Sequence, residues 1–175
     1  EFEPGSSIES EVHFDRRGDT PPAALVEYQV RVRDSVGNEH TSEPQQIIYY
    51  PPQYDWKEIT AGDATFVWYE GGQEWAQEMV NMAAPSVERS ANMFGVDVKA
   101  PVRIVAFPDR ESFHDAIRDL DPWVGGVTPQ GTGMTIQIMS PDSGRQAWNE
   151  KVIPHEIAHV VWFLATCSAL APAPE

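Results

Sequence analysis

Cysteine, basic residues and long apolar runs are all scarce in this chain, and each scarcity excludes something. Cys167 is the sole cysteine among 175 residues, which excludes an intramolecular disulfide, a cysteine-based zinc knuckle and a CxxC redox pair. It does not fix the compartment, because large secreted domains often carry no disulfide. Only 12 Lys and Arg stand against 27 Asp and Glu, a formal charge of −15. The deficit is continuous, −6 over residues 1–50 and −9 over 51–175. No basic patch is available to track a phosphate backbone, so nucleic acid is excluded as a partner. Anionic membrane surfaces are disfavoured for the same reason. No apolar run approaches the roughly 18–20 residues of a spanning helix, so membrane attachment is expected only through flanking segments. The chain starts at Glu1 without a visible signal peptide, and is expected to be a fragment or processed product.

What is present suffices for a packed core. Hydrophobic residues make up 41% and aromatics 10%, with six Trp, a composition that argues against a wholly disordered chain. The length allows one domain, or one small domain beside another. Residues 1–50 read as β. In Ala24–Asp34, Val26, Tyr28, Val30 and Val32 share one parity and polar residues hold most of the other, the period-2 pattern of a strand with one buried face. Gly37-Asn38 supplies turn residues before a second β-prone run, Pro44–Tyr50, so a hairpin is predicted. Ile8–Phe14 alternates more loosely. These strands are too few to close a sandwich and read as the last part of an Ig-like module. Pro51-Pro52 and the polar run DWKEITAGD mark the expected boundary.

From Ala64 onward β and α segments alternate. Thr65–Glu70, Val102–Phe107 and Met134–Met139 read as strands, and Gln73–Phe94, Ser112–Leu120 and Arg145–Thr166 as helices. Gly95 is a stop signal for the first helix. Pro85 is expected to kink that helix, and Pro154 sits oddly near the middle of the last one. The order predicts an α+β or α/β layer of helices on a small sheet.

The last helix carries His155-Glu156-Ile157-Ala158-His159, an HExxH. Residues four apart lie one above the other on a helix face, so both imidazoles can bind one Zn2+. Glu156 sits about 100° round the helix from His155, where its carboxylate can act as general base on a zinc-held water whose pKa falls to about 7. Ile153, Ile157, Val160, Val161 and Leu164 supply an apolar flank to bury.

WYEGGQEWAQEMVNMA, PVRIVAFPDRESF, WVGG and VIPHEIAHVV, in that order, resemble the peptidase MA-like domain, a gluzincin-type zinc metallopeptidase family. The preceding EYQVRVRDSVGN and IIYYPPQYDW resemble Ig-like strands and the junction that lead into this domain in bacterial surface or secreted proteins. The resemblance implies a zincin-like N-terminal subdomain over residues 53–168, a partial Ig-like β module over 1–52 and a disordered tail over 169–175. It implies His155 and His159 as zinc ligands, Glu156 as general base, a peptide or protein substrate, an extracellular or cell-surface location, and Met134–Met139 as the edge strand that pairs with substrate.

The departures from that family bear on activity. Its third ligand is a Glu on a following helix, in an NEGxA-like segment, whereas this chain ends sixteen residues after His159. Glu175 follows two prolines and is a poor substitute. The longer HExxHxxGxxH pattern fails as well, with Trp162 and Ala165 at its Gly and His positions. The expectation is therefore a truncated zinc metallopeptidase-like chain, inactive because the third zinc ligand is missing, with zinc weakly held or absent. The alternative is a non-catalytic extracellular interaction module with a remnant zincin fold. His13, His40 and His114 lack metal-like spacing, and the Trp residues are expected in packing rather than on a sugar platform. Gly125-Gly126 and Gly131-Thr132-Gly133 precede a strand instead of a helix, which argues against a phosphate cradle.

Overall fold

The computed structural model describes residues 20–117, 119–142 and 146–167. The run Ile8–Phe14, His13, the tail 169–175 and Glu175 lie outside the described residues.

The first four strands form one long antiparallel hairpin. β1 (Ala24–Tyr28) pairs with β4 (Gln45–Tyr49), and β2 (Arg31–Arg33) pairs with β3 (Glu39–Thr41). Between the two ladders the register slips by one residue, from Tyr28↔Gln45 to Arg31↔Thr41. The returning strand thus carries the extra residue of a β-bulge. Ser42 fills the gap, its amide donating to the Val30 carbonyl at 2.8 Å and its hydroxyl accepting from the Val30 amide at 2.9 Å. Asp34 organises the turn, its carboxylate accepting from the Val36 and Asn38 amides at 3.0 and 2.8 Å, an Asx-type bond that suits Asp to turns. The hairpin is therefore where the sequence places it. Its alternation marks a half-covered face only in β1, where Val26 and Tyr28 are half-buried between exposed neighbours; Val30 and Val32 are 52% and 56% exposed. Only the hairpin base is covered, with Ala23 and Ala24 buried and Ile48 and Tyr50 packed on the neighbouring core.

The rest of the described chain is built on a five-stranded mixed sheet, giving an α+β fold. β5 (Lys57–Ala61) and β6 (Ala64–Trp68) form a tight antiparallel pair, while β6, β7 (Val102–Phe107) and β9 (Met134–Ile138) run parallel. A two-residue strand, β8 (Gly126–Val127), pairs antiparallel with β9 and ends the sheet in the order β5-β6-β7-β9-β8. β5 falls inside the polar run expected to be linker. It is a strand because Gly62-Asp63 is a two-residue hairpin turn, with Gly62 at φ +52°, a backbone state that glycine adopts without strain.

Every residue of β6 is buried, the mark of a strand covered on both faces. One face carries Phe66, Trp68, Ile104 and Ala106 against α1 (Gln73–Phe94) and α3 (Gln146–Cys167). α1 buries Ala76, Met79, Val80, Ala83 and Val87, the i, i+3, i+4, i+7 stripe of an amphipathic helix, and closes at Gly95, whose amide bonds the Ala91 carbonyl. Pro85 lies inside α1 and Pro154 inside α3, and neither ends its helix. The other face carries Val67, Val105, Phe107, Met134 and Ile136 against α2 (Arg110–Ala116) and the hairpin base. α2 starts earlier than its apolar pattern suggests, because the Asp109 carboxylate caps the Ser112 amide at 2.8 Å. It ends before Asp119, which takes the left-handed φ of +61°.

Aromatic rings fill this second face. Tyr54 stacks on Tyr69 at 4.1 Å between centroids, and Phe107 meets Trp56 and Phe113 edge-on at 5.5 and 6.0 Å. At its rim, the Tyr50 hydroxyl donates to Glu58 Oε2 at 2.7 Å, and Arg103 Nη1 reaches the same oxygen at 3.1 Å. Burial, reinforced by the Glu58 carboxylate, pushes the Tyr50 phenol up to about 12 from its ordinary 10.0. The Tyr50 hydroxyl in turn holds Glu58 below the ordinary carboxylate value.

Two outcomes follow for stability. Phe107→Ala, at a fully buried ring, is expected to cost about 3–5 kcal/mol in denaturant unfolding. Tyr50 has a raised phenol pKa, so its contribution is intact below pH 10 and is lost as pH rises through about 12. The alkaline fall in unfolding midpoint across that window is therefore expected to be shallower in Tyr50→Phe than in the parent chain.

Candidate metal centre

The candidate residues lie in the second half of α3, and helical geometry sorts them by face. Ile153, Ile157, Val160 and Val161 are buried against α1 and the sheet. His155 and His159 point outward and are exposed, while Glu156 between the faces is half-buried. The apolar flank read from the sequence is what seats the helix and fixes its rotation.

The two imidazoles converge. Their Nε2 atoms lie 3.2 Å apart, with ring planes at 86°. Two nitrogens on one tetrahedral zinc, at Zn–N of about 2.0–2.1 Å, are separated by about 3.3–3.4 Å. The histidines thus already hold close to the spacing that two of four zinc positions require. Glu156 is fixed differently. Thr128 Oγ1 donates to Glu156 Oε2 at 3.0 Å, tying the carboxylate to the residue just after β8. Its other oxygen, Oε1, lies beside Gly126.

Among the described residues no three His, Cys, Asp or Glu side chains are grouped to hold one metal ion. His114 is engaged elsewhere, its Nε2 3.2 Å from the Val124 carbonyl and its ring edge-on to Phe113. His40 lies on β3 of the hairpin. The donor set therefore fits zinc at two positions and leaves the remaining protein position unfilled among the described residues.

The edge-strand expectation needs correction. Met134–Ile138 is an interior strand, paired with β7 along its whole length and with β8 through Ile136 and Gln137. The sheet edge nearest Glu156 is β8. Sequence reading missed Thr128 as well. The available signal was a hydroxyl residue directly after the Gly125-Gly126-Val127 run, but its partner is 28 positions away.

Compared with models of known protein families and with curated proteins, the sequence matches none.

Thr128→Val removes one partly buried hydrogen bond to a charged group, so a loss of no more than about 1.5–3 kcal/mol in stability is expected. The carboxyl carbon resonance of Glu156 is expected to move in that variant, while the imidazole signals of His155 and His159 stay in place.

Proposed function

We propose that the chain carries a zincin-like domain of gluzincin type, preceded by Ig-like strands, in a zinc-dependent metallopeptidase-like protein acting on peptides at or outside the cell surface. One observation supports this above all: two convergent imidazoles 3.2 Å apart stand beside a carboxylate held by its own hydroxyl donor. His155 and His159 would hold Zn2+, which when bound supplies Lewis acidity and lowers the pKa of a coordinated water to about 7. Glu156 is the general base. Thr128 occupies Oε2, leaving Oε1 to take a proton and later return it to the leaving amine nitrogen. With two protein ligands where catalytic zinc sites use three, the described residues form a half-site. Weak zinc binding and no peptide hydrolysis are proposed for this chain alone.

A second reading, a non-catalytic extracellular interaction module, is favoured by the hairpin. Val30, Val32, Val36 and Ile47 are all more than half exposed on it, apolar surface that a partner would cover.

Zinc titration and a quenched-peptide hydrolysis assay on the intact chain test the first reading. Zinc is expected to bind and to be removed by dialysis. Loss of either imidazole, in His155→Ala or His159→Ala, is expected to weaken it by more than the roughly 10–100-fold that an outer-shell partner costs. Zinc binding indifferent to both substitutions would refute the metal site. Tight equimolar zinc that survives dialysis, or hydrolysis lost in Glu156→Gln, would refute the half-site.

A further inference from the structure

A polar cleft lies at the carboxyl ends of the parallel strands, where β6 leads into α1 and β9 into α3. Its volume is about 220 Å³. Crevices at this end of a sheet are the usual ligand sites of open α/β layers. Three carboxylates stand around it: Glu74 and Glu78, one turn apart on α1, and Asp142 after β9. All three are exposed, and no described cation pairs with any of them.

Burial deepens inward from that acidic mouth. Met79 is 1% exposed and Asn149 2%, so these two line the inner end of the cleft. The Asn149 carboxamide oxygen is buried without a hydrogen-bond partner. An unsatisfied acceptor in such a place costs about 1–3 kcal/mol, a cost that a ligand donor would remove. Trp75 lines the cleft beside Met79 and Asn149, its ring edge-on to Phe66 at 5.2 Å. Gly71, at φ +105°, lies against both Trp75 and Pro141, and a Cβ there would come within 2.9 Å of each. Glycine there lets the strand exit pass close to both side chains, which sets this part of the lining in advance of any ligand.

We propose that this cleft binds the guanidinium of an arginine side chain presented by a peptide. The carboxylates do not converge as a metal site would: among the described residues no three acidic or imidazole groups could share one ion. They surround a cavity, and a cation that fills it must be extended and carry several donors. A guanidinium offers five N–H donors in a plane, enough for the Asn149 oxygen and the carboxylates together, and it stacks on an indole face. Its aliphatic stem matches Met79 and Pro141. The site is separate from the HExxH residues, and its occupancy does not depend on whether those residues hydrolyse peptides.

The test is an NMR titration of the isotope-labelled chain with N-acetyl-arginine N-methylamide, its neutral citrulline counterpart, and calcium chloride alone. The arginine amide is expected to shift the Trp75 indole and Asn149 carboxamide signals saturably, and to bind more tightly than the citrulline amide by about tenfold or more, the effect of one charge-assisted hydrogen bond. Glu78→Gln and Asp142→Asn, which alter exposed groups, are expected to weaken binding by a similar factor. Glu88→Gln, farther along α1, and Glu156→Gln are expected to leave it unchanged. Equal binding of the two amides, absence of shifts at Trp75 and Asn149, or calcium binding through Glu78 and Asp142 in preference to the arginine amide would each overturn the proposal.

Discussion

Parallel strands leave neither face of a sheet to water, and that requirement organises this molecule. β6, β7 and β9 are joined by long crossovers, and each crossover must supply cover for the sheet it leaves. α1 and α3 close one face, and α2 closes part of the other. The remainder falls to residues outside the β-α alternation, the hairpin base and the Tyr54–Trp56 segment. The hairpin is thus integral to the second core at its root while its tip stands in solvent.

The two faces are closed by different physics. On the helical face, aliphatic side chains from α1 and α3 interdigitate with Phe66, Trp68 and Ile104, so cover depends on packing density. On the other face, edge-on and stacked rings around Phe107 do most of the covering, and their polar ends reach the rim. There Tyr50, Glu58 and Arg103 link the hairpin exit to β5 and β7. This small ionic network ties two neighbouring segments to a third that lies 45 to 53 positions further on. Burial first, and the Glu58 carboxylate second, keep Tyr50 protonated beyond the ordinary phenol range.

What could be read from the sequence was what local periodicity encodes. α1 was legible to the residue, because an apolar stripe and Gly95 bound it. β7 and β9 were legible as apolar runs between turns. The facing of His155 and His159 followed from 3.6-residue geometry. The illegible parts are those that tertiary contact decides. β5 is polar on its outer side and passed for linker, since its pairing with β6 hinges on a two-residue turn. β8 is too short to show any period. Val30 and Val32 alternate as buried residues do, yet alternation reports only which residues share a face and not whether anything lies over it. Thr128 touches Glu156 only because β8 folds back along β9, and no local pattern encodes a buried Asn149 oxygen without a donor.

α3 bears two independent sets of residues. Ile153, Ile157, Val160 and Val161 anchor it, while His155 and His159 make no contact on which the cores depend. Selection on folding therefore acts on one set and is blind to the other. A lineage can lose the outward residues by drift and remain folded, or keep the scaffold and acquire different side chains at those positions. The same separation means that the presence of both histidines, one turn apart, owes nothing to the needs of the core.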